Sequence, residues 1–300
     1  MRQFSFFCVL LVILFCGTVR SDTLKLPRPV GDTIPGSLHD HDTRYHIITV
    51  RQEDGKLVGE RMEHLANVWD LLFEEFTQRE QATVSPHIKI EPAKIRHRVI
   101  LYRSQREYID NLRHIEPDIA RTNGLYLAPR KTAYFFSTEA KILFHEGTHQ
   151  ILAERFFHEK SPTFRNNFWA VEGIALFMET LKIEDKHYKV GDILANRLYS
   201  AMVYRFEQNH HLPIRQLTAM GAAEIQLSED LQPIYSQSAT LVHWLMFAEA
   251  GRYRGALFEL LRRTYCNEAT PETLSELTGL SYEELDAKYV EFLKTIPPAK

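Results

Sequence analysis

Residues 145–150 read HEGTHQ, and they are the place in the chain where residue types and spacing point most directly to chemistry. His145 and His149 stand four apart inside a helical pattern, TEAKILFHEGTHQILAERFF. Four residues advance a helix by one turn plus about 40°, so both imidazoles leave the same face and can bind one metal ion. Glu146 lies between them, within reach of a metal-bound water. Zinc suits such a site, because it accepts imidazole ligands, needs no redox change and keeps an open position for water. The bound water is then acidic enough for a glutamate to take its proton as it attacks a carbonyl.

A catalytic zinc needs a third protein ligand. The next helical stretch, FWAVEGIALFMETL at 168–181, offers Glu172. Lys160-Ser161-Pro162 marks a reversal between the two segments, so the second helix can return beside the first and complete a His145, His149, Glu172 set around one Zn2+. Gly147 and Gly173 each adjoin or neighbour a proposed functional side chain. Glycine inside a helix costs about 1 kcal/mol relative to alanine, and two of them here imply close approach of neighbouring elements.

The elements that must position these groups read as α+β, with strands first and helices later. Tyr45–Arg51, His97–Tyr102, Gly124–Ala128 and Thr132–Phe136 read as strands. Met62, Leu65, Val68, Leu72 and Phe76 recur at helical spacing and predict an amphipathic helix over Glu60–Gln78. Ser104 with Glu107 forms a capping-box pattern for a helix to about His114. Beyond Ser137 the pattern is nearly all helix, with late starts at Thr270-Pro271 and at Ser281 with Glu284.

Composition narrows the class. The 300 residues are 44% hydrophobic and 25% charged, as in ordinary globular proteins. Thirty-six Lys+Arg against thirty-nine Asp+Glu give a net charge of −3, which argues against a nucleic-acid-binding protein. Residues 1–21, with Arg2 before an apolar run from Phe4 to Gly17, fit a secretory signal peptide cleaved near Ser21. That run is short for a membrane span, so no stable span is expected after cleavage, and the protein is expected to be secreted or periplasmic. Residues 22–42 read as an extended lead-in, and 43–296 as one domain. Cys8 and Cys16 lie in the signal segment. Cys266 alone remains, so the mature chain offers no internal disulfide and no cysteine-based zinc cluster.

The HEGTH helix followed by Trp169-Ala-Val-Glu172-Gly173-Ile-Ala175 resembles the gluzincin metallopeptidases, and most of all the peptidase MA-like group. The similarity runs from about residue 97 to 293. It implies a zincin-like fold: a small mixed sheet with an edge strand above the metal helix, then a mostly helical part. It implies zinc ligands at His145, His149 and Glu172, Glu146 as the base, and Tyr235, in a YSQSATLVHWL stretch, as a hydroxyl that stabilises the oxyanion. It also implies that the strand containing Ala133, Tyr134 and Phe135 pairs with an extended peptide or protein substrate. The expected activity is therefore a zinc-dependent endopeptidase.

Some features depart from the family. No Gly-x-Met-Glu-Asn element precedes the motif, which removes the usual grip on a free α-amine. Leu176 stands four residues after Glu172, where some gluzincins place an aspartate that orients a ligand histidine. Glu179, seven residues on, could serve from the next turn or be merely exposed. His243 reads as structural. Two rival readings use the same residues. One is a catalytically silent binding module on this scaffold, against which the intact Glu146 speaks. The other is a di-iron bundle built on Glu146-x-x-His149, Glu184-x-x-His187 and Glu207-x-x-His210, disfavoured by the strand-rich first third.

Overall fold

The computed structural model describes residues 44–81, 96–156, 162–184, 187–193 and 195–297. The expected signal and lead-in segments, and the reversal expected at Lys160-Ser161, lie outside the described residues. The strands are β1 (Tyr45–Thr49), β2 (His97–Leu101), β3 (Gly124–Leu127), β4 (Thr132–Phe135), β5 (Lys182–Glu184) and β6 (His187–Lys189). The helices are α1 (Gln52–Gln81), α2 (Gln105–Leu112), α3 (Ala140–Phe156), α4 (Phe168–Met178), α5 (Asn196–Phe206), α6 (Ile214–Ala219), α7 (Ala222–Gln226), α8 (Leu231–Phe247), α9 (Arg254–Tyr265), α10 (Thr273–Thr278) and α11 (Tyr282–Leu293). The class is thus α+β, with a small mixed sheet into which α1 and α2 are interleaved and a mostly helical part after it.

The first four strands form one sheet in the order β1-β2-β4-β3. β1 and β2 run parallel, as do β2 and β4, while β3 and β4 are antiparallel. Alternation along the strands sends residues to two cores. Tyr45, Ile47, Val99, Leu101, Tyr126, Ala133 and Phe135 pack with α1, α3 and the C-terminal helices. Ile48, Ile100, Leu125, Leu127 and Tyr134 pack on the other face with Tyr108 and Leu112 of α2. Both faces are covered, which is why these strands read as near-continuous apolar runs.

This order corrects one expectation. The strand of Ala133, Tyr134 and Phe135 is not an edge. Val99↔Ala133, Ile100↔Tyr134 and Leu101↔Phe135 register it against β2, while Leu125↔Tyr134 and Tyr126↔Ala133 register it against β3. Its main chain is used on both sides and its side chains are fully buried, so it has nothing left to offer an extended peptide. The edge strand on this side is β3.

Helix α1 starts eight residues before the expected Glu60. Gly55 and Gly59 weaken the local helix signal, but Val58, Met62 and Leu65 form one buried stripe with Trp69 and Phe73, and tertiary burial overrides propensity. Glu53 and Asp54 in the first turn complement the positive end of the helix dipole. The caps expected at Ser104 and Ser281 are present: Ser104 Oγ accepts from Glu107 N at 3.2 Å, and Ser281 makes the reciprocal bonds with Glu284. Among the described residues, no helix is long and apolar enough to cross a membrane.

Candidate metal centre

Helix α3 carries the two histidines and is enclosed on nearly all sides from Leu143 to Glu154. The contact with α1 is so close that a Cβ at residue 147 would lie 2.7 Å from Leu65 Cδ2 and 2.8 Å from Met62 Cε. On the next helix, a Cβ at residue 173 would lie 2.7 Å from the Ser238 carbonyl oxygen of α8. The two glycines thus permit the packing that holds α3 and α4 in place, as their position beside the functional residues suggested.

Helix α4 returns beside α3 because its start is pinned. Asn167 adopts a left-handed conformation at φ 53, tolerable for asparagine. Its backbone N–H donates to Thr218 O at 2.8 Å, and its Nδ2 donates to Thr270 O at 2.8 Å. From there Glu172 points at the histidines. Glu172 Oε2 lies 3.7 Å from His145 Nε2, and Oε1 lies 3.8 Å from His149 Nε2. The three ligand atoms fall within 4.8 Å of one another, and this is the group that could hold a metal ion among the described residues.

The donor set fits a divalent cation. Glu172 is 0% exposed, and neither of its oxygens makes a hydrogen bond; His149 Nε2 is likewise buried without one. Burying an uncompensated carboxylate costs several kcal/mol, which a cation among these three groups would offset. Tetrahedral ligands about 2.1 Å from zinc stand about 3.4 Å apart, slightly closer than the observed separations. Burial and the adjacent His145 hold the His149 imidazole well below its ordinary pKa. It therefore stays neutral, as a ligand must.

Glu179 resolves the question its position raised. Its Oε1 lies 2.8 Å from His145 Nδ1. Accepting that proton fixes the tautomer and leaves Nε2 unprotonated toward Glu172 and His149, the way outer carboxylates orient ligand imidazoles. Glu179 does from one turn further along what Leu176 cannot.

Glu146 is 1% exposed, and its Oε2 accepts the Tyr126 backbone N–H of β3 at 2.9 Å. Burial pushes its carboxyl up to about 7; the Glu172 carboxylate adds to the rise, while His145 and the Tyr126 N–H oppose it. A buried carboxyl that titrates near neutrality can take and return a proton.

Tyr235 and His243 both lie on α8. Tyr235 is buried on α8 with its ring 5.9 Å from the Arg197 guanidinium, and it makes no hydrogen bond to Glu172 or to His149 Nε2. Tyr265 of α9 also feels Glu172: its phenol is pushed well up by burial and by that carboxylate. The stretch RRTYCNE around it carries no motif that would mark it. His243 donates from Nε2 to Gly191 O at 3.1 Å and stacks on Phe292, a structural setting. Glu184 and His187 sit exposed on the β5–β6 hairpin, and His210 lies by Asp230, so the di-iron arrangement is not assembled. Compared with known proteins, the chain matches no family profile and no curated sequence.

Proposed function

We propose that the chain is a zinc-dependent hydrolase with a zincin-like arrangement, acting as an endopeptidase on peptide or protein substrates. One observation carries the reading: a buried His145, His149, Glu172 cluster with an unsatisfied carboxylate, next to a second carboxyl that titrates near 7. His145 Nε2, His149 Nε2 and Glu172 would hold the ion, and zinc bound there supplies Lewis acidity to water and to a substrate carbonyl. Glu146 takes the proton of the attacking water and passes it to the leaving amine. The Tyr126 N–H holds Oε2 and so fixes which way the carboxyl faces. Glu179 keeps His145 in the required tautomer.

Substrate is proposed to dock along β3 instead of β4. Tyr126 donates outward to Glu146, so by the alternation of an antiparallel ladder Gly124 and Tyr126 turn their main-chain groups away from β4. With the Tyr126 N–H taken by Glu146, an extended peptide added there would pair through the Gly124 main chain and the Tyr126 carbonyl, and would pass beside Glu146. The apolar leader at residues 1–21 supports export to the periplasm or exterior.

The test is digestion of a peptide library by purified protein, with chelator and with zinc added back. Zinc-dependent internal cleavage, lost in Glu146→Gln with the metal retained, is expected. Bound zinc with no cleavage of any peptide would overturn the peptidase reading in favour of a binding module.

A further inference from the structure

The edge strand has no side chain at the point where it passes closest to the stem of Glu146. Leu125 and Leu127 face the α2 side of the sheet and Tyr126 faces α3, so alternation turns Gly124 toward α3 as well. A Cβ at residue 124 would lie 2.9 Å from Ile142 Cγ2, 3.0 Å from Glu146 Cγ and 3.1 Å from Phe135 Cδ1. Two of these atoms belong to the metal helix, and the third to the β4 residue that pairs with Gly124.

Glycine weakens a strand, because it brings no side chain to pack and loses the most backbone entropy on folding. No turn requires it here: Gly124 lies outside the left-handed region that Gly191, Gly251 and Gly279 occupy. Close approach is the reason that remains. A methyl group at residue 124 would be pressed by α3 on one side and by the Phe135 ring on the other. Ordinary carbon contacts begin near 3.5 Å, so relieving the 2.9 Å contact takes a shift of about half an ångström. That shift lifts β3 from α3 or pushes the Glu146 stem aside. Either movement falls on the bond two residues along, where the Tyr126 N–H donates to Glu146 Oε2 at 2.9 Å. Half an ångström carries it past the usual limit of about 3.2 Å.

We propose that Gly124 is a positioning residue for Glu146: its missing side chain lets β3 lie close enough to α3 for the residue 126 amide to hold the base. The catalytic consequence rests on the peptidase reading, but the close fit itself is a property of the metal-free chain.

Amide hydrogen exchange in the metal-free full chain reads the fit directly. In Gly124→Ala the residue 126 amide should exchange about tenfold faster, the weight of one lost buried hydrogen bond. The Val99 amide in the sheet interior should not change. Adding Ile142→Ala removes the nearest contact and should restore slow exchange at residue 126. Gly255→Ala, where a Cβ would meet nothing within 4 Å, should match the wild type. In the zinc-loaded protein Gly124→Ala should lower kcat about tenfold with zinc affinity unchanged, and the double variant should recover it. Unchanged exchange at residue 126 in Gly124→Ala would overturn the proposal. Equal acceleration at Val99 would also overturn it, because the glycine would then serve packing alone. If Gly124→Ala does not fold, the double variant must fold with residue 126 protected, and failure of both would overturn the proposal too. A wild type that cleaves nothing while the exchange shift appears would sink the peptidase reading and leave the role of Gly124 standing.

Discussion

Replacing Glu146 with glutamine should remove a pH dependence that the metal-free wild type's stability carries. The Glu146 carboxyl is held at about 7 in the fold against an ordinary 4.5. The folded chain thus keeps a proton that the unfolded chain releases. Ionising the group opposes folding: the penalty is absent below about pH 4.5, grows as pH rises toward 7 and is constant above. A shift of about 2.5 units at 1.36 kcal/mol per unit makes the full penalty about 3 kcal/mol, of which about 2–3 fall between pH 5 and 8. His149 acts with the opposite sign. Its depressed pKa costs stability as pH falls below 6.5, so the wild-type curve alone mixes the two. The difference between Glu146→Gln and wild type removes the histidine's share. Urea unfolding in chelator at pH 5 and pH 8 measures it. Relative to wild type, the variant should gain about 2–3 kcal/mol on going to pH 8. An equal difference at both pH values would refute the reasoning, because it would mean that Glu146 is not a desolvated carboxyl.

Two further substitutions probe the supports of the site. Glu179→Gln should weaken zinc binding about 10- to 100-fold by loosening the His145 tautomer, with the melting temperature of the chelated protein little changed; a competition titration with a zinc-binding dye reads this, and unchanged affinity would make Glu179 a bystander. Gly173→Ala should destabilise by about 1–3 kcal/mol, because the new Cβ would sit 2.7 Å from the Ser238 carbonyl and one of the two helices must move. Denaturant midpoints report it, and a neutral result would mean that α4 and α8 separate easily.

The metal cluster was legible because its information is local. Two histidines one helical turn apart and a glutamate on the next helix need only the helical period to converge. Even Glu179 was visible as a carboxylate at the right distance, although its partner was not. The strand order was hidden for a physical reason. Gly124–Leu127 and Thr132–Phe135 are both buried on two faces, so neither alternates, and a local pattern cannot say which of two such strands lies outside. Tyr126 was missed with it, since its role comes from the edge position. Tyr265 was missed too, because only tertiary packing brings α9 near Glu172.

The most direct measurement is anomalous diffraction at the zinc edge from crystals of the zinc-loaded protein. The account predicts one peak about 2 Å from His145 Nε2, His149 Nε2 and a Glu172 oxygen. A peak elsewhere, or none at that cluster in fully loaded protein, would contradict it.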